Sequence, residues 1–458
     1  MAEFPRLRYA RNLLSMAGAT LTTVSAALFL FVFGLELFGF HTNPYIGIVV
    51  FLILPGLFVG GLAIIPAGMW IERRRQLSGK APSKPRWPSL DLNDPNVRRA
   101  TFIVVLMTFL NVVIVSLAAY RGIEYMDSVP FCGQVCHEVM QPEFTAYQDG
   151  PHSRVTCVQC HIGPGAPWFV RSKLSGVRQV FAVAADSFSR PIPSPVENLR
   201  PARDTCEQCH WPEKFHGDLV RAVHEYAEDE ANTGSITSLQ LHVGGGGERA
   251  SEGIGIHWHV NPGNRIEYIA TDDKRQDIPW VRLTLASGAA REYRVEGFTD
   301  DQLVGRERRV MDCVDCHNRP THPFAASAAR AVDEAIATGL ISVSLPFVKR
   351  EAVAALTESY ESREAAVQDI ATRLDSFYRQ QLSDADGDQR PAVEAAIRAT
   401  QSLYRRNVFP SMNITWGTYV NNIGHVNFPG CFRCHDDSHA TADGQVIRQD
   451  CGLCHSFQ

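Results

Sequence analysis

The sequence has no cysteine outside six closely spaced pairs: Cys132/Cys136, Cys157/Cys160, Cys206/Cys209, Cys313/Cys316, Cys431/Cys434 and Cys451/Cys454 account for all twelve. Pairs serving as local disulfides or redox couples would leave unexplained the histidine that follows every second cysteine. No Lys-Ser/Thr follows the Gly244–Gly247 run, which excludes a phosphate-binding loop and leaves a flexible turn. No recognisable signalling segment occurs, so a sensor or scaffold has no support. The balance of charge, −5 overall, gives no reason to expect a nucleic-acid partner.

What is present is a repeated motif. CVQCH, CEQCH, CVDCH, CFRCH and CGLCH place two residues between the cysteines, and the first copy, CGQVCH, places three. Two thiols at this spacing form thioethers to a haem, and the adjacent His is positioned to bind its iron. Zinc also takes Cys and His, but zinc pairs have variable flanks rather than a His after each second cysteine. Six covalently attached c-type haems are therefore expected, on the twelve cysteines, with His137, His161, His210, His317, His435 and His455 as iron ligands. A reductase with an open iron is commonly marked by Cys-x-x-Cys-Lys, which does not occur here. A terminal reductase acting on a small oxidised substrate thus stands as the alternative to electron transfer.

Charge divides the chain. Residues 1–121 carry 12 Lys+Arg and 5 Asp+Glu, a net of +7, while residues 122–458 carry 32 and 44, a net of −12. Three stretches in the first part, Leu13 to Phe38, Tyr45 to Trp70 and Thr101 to Tyr120, are long and apolar enough to span a bilayer. The link GFHTNPY lacks Lys and Arg, whereas Arg6, Arg8, Arg11 and the loop from Arg73 to Arg99 are basic, which puts the N-terminus and that loop in the cytoplasm. Everything after Arg121 is then periplasmic, where covalent haem attachment takes place. A cleaved signal peptide fits the first stretch poorly, because two more spans follow and no clear small-residue cleavage site is present. Glu36 and Asn111 are polar residues within the spans.

The expected fold is mainly α: a membrane-anchored multihaem cytochrome c with three transmembrane helices and a haem-packed periplasmic domain carrying a small β insert and a helical insert. The expected segments are a two-helix transmembrane hairpin over 1–70, a cytoplasmic basic loop over 71–100, a third transmembrane helix over 101–121 and a haem domain over 122–216 with three motifs. A β-rich insert over 217–310 follows, because TSLQLHV, NRIEYIAT, PWVRLTLAS and REYRVEGF read as strands between Gly, Asp and Asn turns. The fourth motif lies in 311–325. A helical insert covers 326–407, its apolar stripe expected to pack on the haem domain, and a dihaem segment covers 408–458.

Each iron needs a second ligand. His152, His216, His322, His425 and His439 each stand four to six residues from a motif, and these five, with one of His257 and His259 in the HWH pair, are the candidate distal ligands. His224 and His242 have no motif beside them.

A chain whose anchor ends just before CGQVCHEVM, followed by HSRVTCVQCHIGPG, CEQCHWPEKFHGD and CVDCHNRPTH, resembles the NapC/NirT family of membrane-anchored multihaem quinol dehydrogenases over roughly Thr101 to His322. The resemblance implies menaquinol oxidation at the outer membrane face and electron delivery to a soluble partner. It also implies an iron ligand from Met140, shortly after the first motif, and a pocket-lining role for Lys173. Three spans, six motifs and the extra residue in the first motif depart from the family pattern. Methionine ligation would raise the potential of the first haem, as suits an acceptor of quinol electrons. The run from Trp168 to Phe188, with Arg171, Lys173 and Arg178 among apolar residues, reads as an interfacial helix, whose basic residues could equally hold lipid phosphates. Quinol oxidation releases two protons, for which Asp186 is the candidate acceptor. The outlet is expected at His435 and His455, near FRCHDDSHATADGQ, facing a periplasmic carrier or a terminal reductase complex. The acidic exported face would favour a basic partner.

Overall fold

The computed structural model describes residues 9, 12–37, 53–79, 91–196, 199–245, 255–382 and 387–457. It divides into two compact units, Met1–Met126 with Ile162–Arg178, and Asp127–His161 with Gln179–Gln458. The segment 162–178 thus groups with the N-terminal helices and interrupts the haem segment expected over 122–216.

The first unit contains helices α1 (Leu13–Leu37), α2 (Leu54–Leu77) and α3 (Pro95–Met126). Helices α1 and α2 run antiparallel at close range because small residues face each other. A Cβ on Gly18 would lie 2.9 Å from the Gly61 carbonyl oxygen, and one on Gly68 would lie 2.7 Å from the Ser15 nitrogen. Ser15 Oγ donates to the Ile65 carbonyl at 3.0 Å, and small faces with a hydroxyl tie are how apolar helices associate without a hydrophobic driving force. Among the described residues, α2 is the helix long and apolar enough to cross a membrane. It is described over Leu54–Leu77, continuing past Trp70, while residues 45–52 of the expected span lie outside the described residues. The extension is favourable because Arg74 and Arg75 sit at its negative C-terminal end and Gln76 donates to Glu72 at 2.9 Å. The GFHTNPY link, residues 80–90, Gly246 and Gly247, and the side chains of Glu36, Asn111 and His137 lie outside the described residues.

The second unit holds all six cysteine pairs. The first lies in a π-helical turn, Phe131–Val135, that leads into α4 (His137–Gln148). The others begin on short helical turns: α5 (Cys157–His161), α7 (Ala202–Cys206), α8 (Cys313–Cys316), and 3-10 turns at Gly430–Arg433 and Cys451–Leu453. The third pair is split by the end of its helix. Helix α7 stops at Cys206, and Cys209 lies in the turn beyond it, its nitrogen donating to the Cys206 carbonyl at 3.1 Å. Between α5 and α7 runs α6 (Ala166–Ala184).

The β segments form two antiparallel sheets. Strands β1 (Asp218–Tyr226) and β2 (Gly234–His242) make a hairpin in register from Asp218↔His242 to Tyr226↔Gly234. The hairpin is joined by β7 (His455–Phe457), whose His455 pairs with Leu241. The second sheet has the order β5-β4-β3-β6, from β3 (Asn264–Ile269), β4 (Trp280–Leu285), β5 (Ala290–Arg294) and β6 (Arg309–Val310).

Helices α9 (Ala328–Ala337), α10 (Val348–Thr357), α11 (Arg363–Gln381) and α12 (Arg390–Asn407) follow. Ser327 and Ser362 start α9 and α11 by accepting from the backbone nitrogens of Arg330 and Ala365. On α11 the four-residue spacing Ala366, Ile370, Leu374, Tyr378 buries one face completely. That face packs with Val332, Leu356, Ala396 and Tyr404 of the other three helices and with Leu345 just before α10, so the apolar stripe closes on itself. The tip of the β1–β2 hairpin inserts into this bundle: Asn232 Nδ2 donates to the Val343 and Leu345 carbonyls at 3.0 and 2.8 Å. Buried Asp333 accepts from Tyr226 N at 3.0 Å and from Lys349 Nζ at 2.6 Å, and Lys349 also donates to the Tyr226 carbonyl. Asp333→Ala, which leaves the Lys349 ammonium buried without its carboxylate, is expected to cost about 3–5 kcal/mol in urea unfolding, whereas the double replacement Asp333→Leu with Lys349→Met should cost much less.

Candidate haem-ligand site

Ten histidines of the second unit meet in five pairs, each joining a motif histidine to one from outside the motifs. His161 faces His322 with ring centroids 6.4 Å apart, and His210 faces His152 at 6.1 Å. His317 faces His257 at 6.4 Å, His435 faces His259 at 5.8 Å, and His455 faces His425 at 6.1 Å. Two imidazoles bonded to one metal at about 2 Å through one nitrogen each have centroids about 6 Å apart. The five separations fit that arithmetic.

Hydrogen bonds fix which nitrogen faces the gap. The Nδ1 atoms of His152, His257, His259 and His322 lie 3.1, 2.5, 2.8 and 2.8 Å from the carbonyls of Pro320, Val243, Ile256 and Glu143. His435 Nδ1 lies 3.0 Å from the Arg448 carbonyl. A carbonyl only accepts, so each Nδ1 carries the proton and each Nε2 keeps its lone pair for a metal, the usual outer-shell arrangement of a metal-binding histidine. Aromatic rings brace His257 as well as one further position: Phe215 stacks on His257 at 4.1 Å, and Phe432 on His425 at 4.1 Å.

Two expected distal ligands stand elsewhere. His439 is buried with Nδ1 2.8 Å from Asp436 Oδ1 and Nε2 2.5 Å from the Ile278 carbonyl, so both of its nitrogens are engaged in holding the chain turn to the β3–β4 sheet. His216 is exposed, and among the described residues its ring meets no motif histidine. Its neighbour Phe215 serves the site instead. Both members of the HWH pair are used, His257 and His259 on the 3-10 turn Ile256–Val260, where the sequence suggested one. Nearness in sequence misled because the second ring reaches a motif through space: His152, five residues before Cys157, faces His210 of the next motif, and His322, five after His317, faces His161.

The attachment cysteines also differ from a uniformly haem-packed interior. Cys209 and Cys451 are exposed, whereas the other ten are half-buried. Cys209 is uncovered because α7 has ended before it and the following turn runs along the surface, with His210 and Trp211 exposed beside it. Cys451 opens the short turn near the chain end.

The stretched first motif has its own local reason. One extra residue in a helical turn is absorbed by widening it from α to π geometry, which keeps Cys132 and Cys136 about one turn apart. A Cβ on Gly133 would fall inside the Phe144 ring, so glycine is required for α4 to fold back on the turn. Met140 is half-buried on α4, three residues after His137. Glu143, on the same helix, accepts from Arg319 at 2.7 Å, and Arg319 stacks on Tyr419 at 3.8 Å.

The motifs touch in chain order. The Cys132 thiol hydrogen-bonds Cys157 and lowers its pKa to about 7, and the Cys206 thiol is raised by its hydrogen bond to Cys313. Burial pushes Cys316 and Cys434 up to about 12. Inside the fourth motif, buried Asp315 accepts from Tyr268 at 2.6 Å and from Arg309 at 2.7 Å, tying the motif to the second sheet. No disulfide joins the cysteines, and no cluster of three or more His, Cys, Asp or Glu side chains gathers at one point among the described residues. A zinc site therefore lacks its ligand sphere, while paired histidines beside paired thiols suit haem.

Comparison with known proteins identifies the family. Residues 94–192 match the model of the NapC/NirT cytochrome c family, N-terminal region. Cytochrome c-type protein ImcH of Geobacter sulfurreducens is 42% identical over 451 residues, 98% of this chain and 88% of its own. The chain belongs to the NapC/NirT cytochrome c family. It is thus a c-type cytochrome, a class that binds haem covalently and carries electrons. Cytochrome c-type protein NrfH of Wolinella succinogenes is 23% identical over 111 residues, 24% of this chain and 62% of its own. No solved structure matches.

For the quinol-pocket candidates, Lys173 Nζ lies 4.8 Å over the Phe169 ring, and Asp186 pairs with Arg190 at 2.5 Å. Gly133→Val should block haem attachment at the first motif and spare the others, as read by the mass of the peptide spanning Phe131 to Gln148.

Proposed function

We propose that this chain is a hexahaem cytochrome of the bacterial cytoplasmic membrane that oxidises menaquinol at the periplasmic face and delivers electrons to a periplasmic carrier or terminal reductase complex. The five histidine pairs carry the reading. His161 with His322, His210 with His152, His317 with His257, His435 with His259 and His455 with His425 would each hold one iron from both sides, beside the thioether-forming cysteines. When bound, the haems supply one-electron redox chemistry. Two histidines at each of the five sites would hold an iron for transfer and would leave no position there for a small oxidised substrate. The terminal-reductase alternative therefore draws no support from them. For the first site, His137 and Met140 are the assigned ligands.

The quinol end is assigned to the anchor side. Helices α1, α2 and α3 serve as three spans, with the second unit in the periplasm. Helix α6 exposes Leu174, Val177 and Phe181 along one face, with Arg171, Lys173 and Arg178 beside it, the composition of a helix lying in a lipid interface. Lys173 would bind the quinol oxygen or a lipid phosphate, and Asp186, exposed at the end of this helix, would accept a proton released on oxidation.

Intact mass of the purified protein should exceed that of the bare chain by about 3.7 kDa, at about 0.6 kDa per haem. A menaquinol analogue should reduce all the haems in membranes, and Lys173→Ala should slow that reduction about tenfold. Unchanged reduction with weaker membrane attachment would assign Lys173 to lipid instead. A bare-chain mass would end the proposal.

A further inference from the structure

The turn Ile256–Val260 places His257 and His259 one residue apart, facing two different motifs. The His257 plane lies 7° from that of His317, whereas the His259 plane lies 74° from that of His435. The two motifs are also joined directly. Arg433, inside CFRCH, donates to the carbonyl of Asp315, inside CVDCH, at 2.8 Å and to that of Arg275 at 2.9 Å.

The turn itself is firmly seated. His257 N donates to the Gly244 carbonyl at 3.0 Å, Asn261 Nδ2 to the Gly245 carbonyl at 3.1 Å, and Asn264 Nδ2 to the Trp258 carbonyl at 3.0 Å. Trp258 packs against the core of Ile266, Tyr268, Ile278 and Val281. Gly245, at φ +100, admits this approach: a Cβ there would lie 2.7 Å from the Trp258 nitrogen. Arg203, beside the third motif, donates to the Val260 carbonyl at 2.9 Å.

We propose that this turn is the bridge of the electron path, closing the fourth and fifth irons with His257 and His259 and making the junction between them the crossing from the first four haems to the last two. The inference rests on the haem-ligand reading above. Two ligands on one seated turn cannot move independently, so the two haems keep a fixed separation and orientation. His257 and His259 would hold the two irons, and the haems bound there would supply one-electron transfer across the junction with no bond formed or broken. The second sheet and its preceding loop then have a function beyond spacing, since they carry the turn into the junction.

The test uses the full-length, haem-loaded protein with a menaquinol analogue as reductant. Near-parallel imidazole planes give a rhombic low-spin EPR signal, and near-perpendicular planes a strongly anisotropic one. His257→Met should remove a rhombic signal and His259→Met an anisotropic one, each raising one haem's midpoint potential, with six haems retained by mass. In His259→Ala, two of the six haems should fill about tenfold more slowly than in the parent, while four fill at the parent rate. His425→Ala should delay one. Gly245→Ala removes no ligand and should perturb both signals together. The bridge is overturned if His257→Met and His259→Met alter the same signal or none, or if all six haems fill at the parent rate in His259→Ala. A parent protein without six haems, or without signals from histidine-paired irons, would overturn the haem-ligand reading itself.

Discussion

An imidazole whose Nδ1 is held by a backbone carbonyl has one lone pair left and one direction in which to use it. That constraint organises the second unit. Four of the five rings that come from outside the motifs are held this way, by Pro320, Val243, Ile256 and Glu143. Each of those carbonyls belongs to a segment whose own position is set elsewhere: Glu143 by the helix after the first motif, Pro320 by the loop after the fourth, Val243 by the end of β2. Three of the four carbonyls, those of Pro320, Val243 and Ile256, lie outside regular α-helices and strands, whereas Glu143 lies within α4. The sheets and the four-helix insert are supports that fix where the irregular segments pass.

Much of this was legible in the sequence, and the boundary of legibility is physical. The twelve cysteines and six following histidines are local chemistry at fixed spacing, so they could be read directly. Strand and helix periodicity placed β2 to β5 and the helices after Ser327. Partner choice is tertiary, and it could not be read. His439 stands four residues after His435 yet is consumed by Asp436 and the Ile278 carbonyl, while His257 lies more than fifty residues before the motif it faces. The exposure of Cys209 is tertiary too, since nothing in CEQCH distinguishes it from the better covered motifs. The sign that could have been followed was the HWH spacing, which offers two rings on one turn. Strand β1 was missed because GDLVRAVHEY alternates weakly and leaves most of its residues exposed. The destination of the helical stripe was also tertiary: its apolar residues close on one another and on Tyr226.

The first motif shows how a covalent requirement reshapes backbone. Two thiols must reach one porphyrin edge, and an added residue between them would rotate the second away in an α-helix. The π turn restores the alignment, and Phe144 over Gly133 holds it. The same helix then carries Met140 and Glu143, so the geometry of the first site is transmitted to the His322 ring through the Glu143 carbonyl.

The last cysteine pair completes a sheet begun more than 200 residues earlier. His455 sits on β7, which pairs with β2 next to His242. The β1–β2 hairpin pairs locally, but the outer edge of β2 is covered only when residues 455–457 return to it. A contact of such long sequence separation forms late. His455 therefore takes its place on a strand whose position depends on the β1–β2 hairpin, more than 200 residues earlier in the chain.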